Sequence, residues 1–335
     1  MFATIKNFTL KQITKNFYGI EEHSNYYIIN DTIIFKYHFD GSLDQYAKKI
    51  SRCSKIIFAN NKTITFFDTK NINFVNEQLC TMEEYNIFND TIDYLPIPIT
   101  HLKLGDKFNK SVDNLPVNLR YLFFGIYFNK SVDNLPLRLE YLSFGYYFNM
   151  PIDNLPIELK YLYLEGYFNH TFDYLPSSII YLNLSCHILT PLNNLPNGIK
   201  ILKLTNCYTN NYNDNYNNRY NHLDLNNLPN SIISLYLPIW FGTPIKHFPS
   251  KLKFINCSWT YPDLFKLLFK YNCGIINFVP LKPNIISMPL RLCLIYANYI
   301  THGKYSKYLI AMNISLLVYD FNEIYKIHHK EFKLN

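Results

Sequence analysis

The sequence predicts a solenoid of short coils built around a parallel β-sheet, and two observations carry this prediction. Between Phe88 and Cys207 the 335-residue chain repeats itself with a constant period of twenty residues, without insertions or deletions. Within each repeat, apolar and outward residues alternate over one short stretch, which is the pattern of a β-strand. A fixed period this short is typical of a solenoid, in which each coil buries its apolar face only against its neighbours.

Each coil is marked by a Leu-Pro pair. The pair recurs at Leu95-Pro96, Leu115-Pro116, Leu135-Pro136, Leu155-Pro156, Leu175-Pro176 and Leu195-Pro196. A repeat this short leaves no room for a full α-helix on the return path of the coil. Because proline restricts φ, we expect an extended or tightly turned backbone there instead.

The strand is predicted to follow the Leu-Pro pair by a few residues. In one coil, Leu142 and Phe144 alternate with Ser143, so the first two are expected to point into the core and the third outward. Successive strands would then stack into a parallel sheet on the concave face. Gly145, like the glycines of the two preceding coils, follows the strand, where we expect a sharp turn of the chain.

The repeat resembles a known family. The pattern L-P-x-x-L-x-x-L-x-F/L-G is similar to a leucine-rich repeat at the short end of its range. The longer motif F-N-x-x-I/V-D-N-L-P, as in residues 148–156, resembles the FNIP repeat, a leucine-rich-repeat relative known mainly from social amoebae and amoeba-infecting giant viruses. The resemblance covers residues 88–207. It implies a leucine-rich-repeat-like solenoid and a role in protein interaction.

The repeats divide the chain into three predicted regions. Residues 88–257 form the solenoid, whose later coils are weaker copies of the motif. An insertion at residues 208–220 is rich in Asn and Tyr, and it is predicted to be a loop because that composition cannot form a core. Residues 1–87 and 258–335 lack clear motifs and are predicted to be mixed α/β regions that cap the two ends.

Both end regions carry local signals for secondary structure. In the first, we predict a hairpin within residues 26–37, a helix over 43–51 and two strands within 55–67. In the second, we predict a helix over 262–271 and a degenerate repeat near 288–289. Caps are expected because an exposed apolar coil would aggregate.

Composition and motifs argue against several classes of function. The net charge of +7 is modest and dispersed, and no apolar leader or membrane-spanning stretch is evident. The seven cysteines form no C-x-x-C pair, which favours free thiols in a reducing compartment. Phosphate-binding, zinc-protease and serine-hydrolase motifs are absent from the sequence. We therefore predict a cytoplasmic, monomeric protein that is not an enzyme and needs no cofactor.

The candidate binding residues are the outward positions of the strands, which recur once per repeat and form two columns. The first column runs through His101, Tyr121, Tyr141, Tyr161 and Tyr181, and the second runs through Lys103, Phe123, Ser143, Tyr163, Asn183 and Lys203. Aromatic side chains are enriched at interaction hot spots, so we expect a platform for an unidentified protein. In a second interpretation, the Tyr column stabilises the sheet by packing across strands. The second column varies between copies, and specificity is expected there.

Two other functions remain open at this stage. Single-stranded nucleic acid could stack on the tyrosines while basic residues neutralise its phosphates. The basic residues are Lys103, Arg120, Lys130, Lys160 and Lys203, and they are scattered over several faces. The family resemblance also implies a substrate-recognition arm of a ubiquitin ligase, since some members carry an F-box before the repeats. No F-box pattern is present in this sequence.

Asn and Asp recur at fixed positions between the Leu-Pro pairs. The Asn column includes Asn109 and Asn129, and the Asp column includes Asp113 and Asp133. We expect both to accept backbone N–H bonds in the return path, since stacked carboxylates would otherwise repel each other. A calcium ladder is the alternative, but one Asp per coil offers few ligands. No metal site is predicted.

Overall fold

The computed structural model describes residues 20–59, 85–185, 188, 190–205, 223–238, 241–258 and 275–279. These residues form one thirteen-stranded sheet whose strands are ordered as in the sequence. The strands are β1 Ile20–Glu22, β2 Tyr26–Ile29, β3 Thr32–Phe35, β4 Lys55–Phe58, β5 His101–Lys103, β6 Tyr121–Phe123, β7 Tyr141–Phe144, β8 Tyr161–Leu164, β9 Tyr181–Ser185, β10 Ile201–Thr205, β11 Ser234–Tyr236, β12 Phe254–Ser258 and β13 Ile275–Val279.

The sheet is parallel from β3 to β13, and it confirms the predicted solenoid. Strands β1, β2 and β3 pair in antiparallel fashion at one end. In the central coils each strand pairs with the corresponding strand of the next coil, so that Leu122 lies beside Leu142 and Leu142 beside Leu162. The sequence period is therefore the step from one strand to the next.

The N-terminal region joins the same sheet. The predicted hairpin is confirmed as β2 and β3, and its turn places Asn30 at a φ of 53°, a conformation that Asn tolerates better than most residues. The predicted helix is shorter than expected: a 3₁₀ turn at Asp44–Tyr46 leads into α1, Ala47–Ile50. Strand β4 pairs in parallel with both β3 and β5, so the parallel ladder begins before the first repeat motif.

Several sequence predictions fall outside the described residues. These are the insertion at 208–220, the helix over 262–271, the degenerate repeat near 288–289 and the second half of the strand segment 55–67.

A ladder of phenylalanines runs through the core next to the inward-facing residues of the strands. Its members are Phe88, Phe108, Phe128, Phe148 and Phe168, all buried. Successive rings stack with centroids 6.1–6.3 Å apart and with interplanar angles of 13° or less. On the sheet side, Leu142 and Phe144 are fully buried whereas Ser143 is half-buried, which confirms the predicted strand register.

The return path consists of tight turns, as predicted. In three successive coils the carbonyl of the Leu-Pro proline accepts a hydrogen bond from the N–H of a leucine further along the turn, at 3.0 Å for Leu119 and 3.1 Å for Leu139 and Leu159. This bond closes a β-turn and brings the leucine back into the core.

The glycine after each strand has a different role from the one predicted. Gly145 does not adopt a positive φ, so no left-handed turn requires it. A Cβ atom built on Gly145 would lie only 2.2 Å from the carbonyl oxygen of Gly125 in the preceding coil. Glycine is needed here because the backbones of adjacent coils approach closely.

The Asn column satisfies backbone groups, as expected. The Oδ1 atom of Asn109 accepts the backbone N–H of Asn129 at 2.9 Å, and Asn129 accepts the N–H of Asn149 at 3.0 Å. The same bond joins the coils before and after these. Each coil is therefore tied to the next by a side chain that accepts a backbone hydrogen bond.

The expectation for the Asp column was wrong. The carboxylate of Asp113 accepts hydrogen bonds from Ser111 Oγ at 2.6 Å and from Asn134 Nδ2 at 3.0 Å, both of them side chains. The reason is local, because Ser111 Oγ itself accepts the backbone N–H of Asp113 at 3.2 Å. Ser111 Oγ therefore accepts the backbone hydrogen bond, and the carboxylate of Asp113 accepts the hydrogen bond that the Ser111 hydroxyl donates.

Candidate functional site

All eleven predicted binding residues lie in two continuous columns on the outer side of the sheet, which we call the sheet face. Strand pairing places His101 beside Tyr121, and that first column continues through Tyr141, Tyr161 and Tyr181. The second column pairs Lys103, Phe123, Ser143, Tyr163, Asn183 and Lys203 in order. The predicted register is therefore correct for every one of these residues.

Among the phenylalanine and tyrosine rings of the sheet face, the closest contacts run diagonally between the two columns. The centroids of Phe123 and Tyr141 are 4.6 Å apart, those of Tyr141 and Tyr163 are 4.9 Å apart, and those of Tyr163 and Tyr181 are 5.1 Å apart. Neighbours within the Tyr column are farther apart, at 6.0–6.3 Å. The rings therefore form a zigzag that links the two predicted columns across the face.

Packing within the zigzag buries several side chains of the sheet face. Phe123 is only 7% exposed and Asn183 only 8%, while the tyrosines of the first column are half-buried. Aromatic pairs of this kind stabilise a sheet beyond the area that they bury. The geometry thus supports the interpretation in which the Tyr column holds the sheet together.

The tyrosine hydroxyls of the zigzag are neutral. Burial raises the pKa of Tyr141 and Tyr181, and the hydrogen bonds between their hydroxyls and that of Tyr163 add to this effect. Burial also raises the pKa of Tyr161, to about 12. Neutral phenols can donate and accept hydrogen bonds to a partner, but they supply no charge.

The polar end of the second column holds Asn183 and Lys203 side by side. Burial lowers the pKa of Lys203, and nearby Glu165 opposes that shift. The Oδ1 atom of Asn183 is buried and has no hydrogen-bond donor. A buried acceptor without a donor costs stability unless another molecule supplies one.

His101 ends the Tyr column at the N-terminal side. Its ring stacks on Tyr121 with centroids 4.2 Å apart, and its Nδ1 lies 2.8 Å from Thr100 Oγ1. Burial lowers the pKa of His101 to about 4, the charge of Lys55 contributes to the same shift, and Asp31 opposes both. His101 is therefore a neutral member of the aromatic column at neutral pH.

The depressed pKa of His101 predicts a pH-dependent stability. In the unfolded chain His101 takes up a proton near pH 6.5, whereas its folded-state pKa is about 4. The contribution of neutral His101 to the free energy of unfolding is therefore fully present above pH 6.5 and falls as the pH drops towards 4. We expect urea denaturation to show this fall as the pH is lowered from 6.5 and to show a smaller fall in His101→Tyr, which copies the rest of the column. Equal slopes in the two proteins would contradict the prediction.

The basic residues considered for nucleic acid do not form one stripe. Lys103 and Lys203 lie on the sheet face but five coils apart. Arg120 and Lys160 both pair with Glu140, at 2.8 Å and 3.0 Å. Lys130 is exposed in the return path, away from the strands.

A second surface, which was not predicted, lies on the turns. Four aliphatic residues that directly follow the Leu-Pro pairs are exposed on the turns, and they are Ile97, Val117, Leu137 and Ile157. The signal was present, since an apolar residue recurs at one repeat position inside a predicted turn. Because apolar residues are usually buried, this recurring position did not by itself indicate an exposed surface.

The part of the chain that the structure describes holds neither a metal-binding cluster nor a membrane-spanning helix. No group of three or more His, Cys, Asp or Glu side chains there could hold a metal ion. No helix in the same part has the length and apolar character needed to cross a membrane.

The FNIP Repeat family matches residues 88–127, 128–163 and 148–187, so this chain carries FNIP repeats. A solved structure described as that of CroV588, a novel circular LRR protein, is similar over 71% of this chain, with 22% sequence identity and a TM-score of 0.45. The similarity spans 38% of the length of that protein. No curated protein matches the sequence.

Proposed function

We propose that this FNIP-repeat protein is a non-enzymatic scaffold that binds another protein through its sheet face. The observation that carries the proposal is the pair of columns in unbroken register, with half-exposed aromatic rings beside a position that changes in every coil. Repeat solenoids use extended surfaces of this kind for recognition. Aromatic anchors supply binding energy, and the variable column supplies selectivity.

The sheet face is well prepared to bind because it is already ordered. Its strands are hydrogen-bonded on both sides, and its rings are held against one another in the zigzag. A partner would therefore incur little of the usual entropy cost of immobilising side chains at an interface. Tyrosine is favourable in this role, because it offers a large contact area with few rotatable bonds.

The polar end of the face favours a protein partner. The buried amide of Asn183 and the half-buried side chain of Lys203 make this end of the face polar, and the N–H and C=O groups of a polypeptide can match it. Glu165 lies in the electrostatic field of Lys203, so the local charge is balanced. A nucleic acid would need a continuous row of cations along the tyrosines.

We place the interaction in the cytoplasm. The partner is expected to be an amoebal protein, because FNIP repeats are known mainly from social amoebae and from giant viruses that infect amoebae.

A steric block of the sheet face tests this proposal without removing any packed ring. Ser143→Arg places a long side chain in the middle of the second column, whose other members already include Lys103 and Lys203. Met150→Arg is the matched control, because it adds the same charge on the return path of the next coil. Met150 is only partly buried against the core, and the two preceding coils carry Lys110 and Lys130 at the same position, so a long basic side chain fits there.

The readout is affinity capture from a nuclease-treated amoebal cytoplasmic lysate, with mass spectrometry of the captured proteins. We expect Ser143→Arg to reduce capture by roughly tenfold or more, the loss produced by about 1.4 kcal/mol of binding energy. Met150→Arg should capture as well as the unmodified protein. Equal capture by both folded variants would move the binding site away from the sheet face. Capture that disappears only on nuclease treatment would indicate nucleic acid.

A further inference from the structure

A row of aliphatic side chains projects from the turns beside the sheet, and we call it the turn row. It consists of Ile97, Val117, Leu137 and Ile157, which are 64%, 66%, 72% and 77% exposed. These four residues occupy the same position in four successive coils. An aligned apolar row is unlike the scattered exposed residues of an ordinary surface, and such patches mark interaction sites.

The fold holds the turn row in place but does not require it to be apolar. Each member follows the proline whose carbonyl closes the β-turn, and adjacent coils are joined there by a bond of 3.4 Å from Asn118 Nδ2 to the carbonyl oxygen of Ile97. In the next two coils the same position is occupied by Ser177 and Asn197. Polar residues therefore satisfy the turn equally well, and the apolar character of four coils needs another explanation.

A second row of side chains lies four residues before the turn-row position in each coil, and we call it the Asp row. It consists of Asp93, Asp113, Asp133, Asp153 and Asp173, each of which precedes the turn-row position of its own coil. Hydrogen bonds from serine and asparagine side chains lower the pKa of Asp113 and Asp133, so both are ionised. Within the described ranges, no Lys or Arg side chain forms an ion pair with any of the five carboxylates.

We propose that the turn row and the Asp row together bind an amphipathic α-helix whose apolar ridge is flanked by Lys or Arg. The apolar ridge would lie along the turn row, and the cations would face the five carboxylates. Because this surface lies on the turns, it is separate from the sheet face, and a partner could occupy both.

The arrangement of the two rows favours a helix over a strand. Away from the sheet, equivalent rings of the phenylalanine ladder in adjacent coils are 6.1–6.3 Å apart, and the apolar ridge of a helix repeats about every 5.4 Å. Across the three steps of the turn row a helix therefore drifts by about 2–3 Å, and an extended strand, whose same-face side chains repeat about every 6.8 Å, drifts by a similar amount. Neighbouring side chains of a strand point to opposite faces, so a strand with apolar residues on the turn row would turn the side chains between them away from the Asp row. A helix carries an apolar ridge and flanking cations on the same side.

The charge of the surface separates this partner from the alternatives. A second copy of the chain laid antiparallel on the same rows would oppose its own Asp row and be repelled. An anionic membrane surface would be repelled for the same reason. A basic helix supplies both the apolar contact and the missing counter-charge.

The test uses a fluorescein-labelled synthetic peptide about five helical turns long, with Leu along one helical ridge and Lys along both flanks. Binding to the full-length chain is measured by fluorescence anisotropy at low and moderate salt. Leu137→Ser with Ile157→Asn copies the polar coils at the turn row. Asp113→Asn with Asp133→Asn copies Asn193, the native residue at that position in a later coil. We expect each double variant to bind roughly tenfold more weakly, and the Asp variant to lose most of its salt dependence.

Three controls decide the outcome. Ser143→Arg should bind the peptide normally, which separates this surface from the proposed sheet-face function. A peptide with Glu in place of Lys should not bind, and circular dichroism should show that both double variants are folded. Unchanged affinity in the variants, or equal binding of the Glu peptide, would overturn the proposal. It would also be overturned if sedimentation velocity showed a dimer that Leu137→Ser with Ile157→Asn dissociates, or if anionic vesicles bound this surface.

Discussion

Replacing Phe148 by alanine should lower the free energy of unfolding by about 3–5 kcal/mol, the range for a buried phenylalanine truncated to alanine. Phe148 is 1% exposed, and its ring stacks on Phe128 at 6.1 Å, Phe168 at 6.3 Å and Phe144 at 3.7 Å. The cavity left by the ring would be lined by these stacked neighbours, which are held by their own coils and cannot collapse into it.

Urea denaturation followed by circular dichroism measures this effect. The control is Leu137→Ala, since Leu137 is largely exposed on a turn and its loss should cost within about 0.5 kcal/mol. The slope of the transition should be recorded as well, because repeat proteins can unfold in parts and a single free energy then loses its meaning. A cost below about 1 kcal/mol for Phe148→Ala would contradict the role assigned to the phenylalanine ladder.

Gly145→Ala should destabilise the protein by about 1–3 kcal/mol or more, as expected when an atom is forced into a filled space. The added Cβ would lie 2.2 Å from the carbonyl oxygen and 2.6 Å from the carbonyl carbon of Gly125. Both atoms belong to the backbone of the preceding coil, so no side chain can rotate away. The two coils would have to separate and strain the hydrogen bonds between β6 and β7.

Gly41→Ala provides the comparison for Gly145→Ala. There the new Cβ would lie 3.1 Å from Gln45 Nε2, the end of a flexible side chain that can move. We expect Gly41→Ala to be close to neutral in the same denaturation experiment. Similar losses at the two glycines would show that close approach between coils is not what position 145 requires.

The sequence was sufficient to predict the coil and the pairing of the strands because both follow from local periodicity. The constant repeat length sets the step between strands, and the alternation of Leu142, Ser143 and Phe144 sets which side chains face the core. Together they assigned every residue of the two sheet-face columns to its correct neighbour.

What the sequence could not supply were contacts between coils that depend on detailed geometry. The diagonal packing that buries Phe123 involves a ring of the next coil, Tyr141, in the other column. The need for glycine at Gly145 arises from a carbonyl of the previous coil. The N-terminal strands β3 and β4 do not carry the repeat motif. Local patterns predicted them as strands, but no periodic signal indicated that they pair with the strands of the repeats.

The asparagine that binds the backbone of the following coil has a consequence for how this protein can change its length. Each coil both offers and receives the same side-chain bond, so a duplicated coil enters the stack with its connections complete. The segments 108–116 and 128–136 are identical, which is the trace that a recent tandem duplication would leave. Recombination between such copies would add or remove whole coils in frame. The length of both surfaces could thus change in evolution through the gain or loss of whole coils, while the fold stays the same.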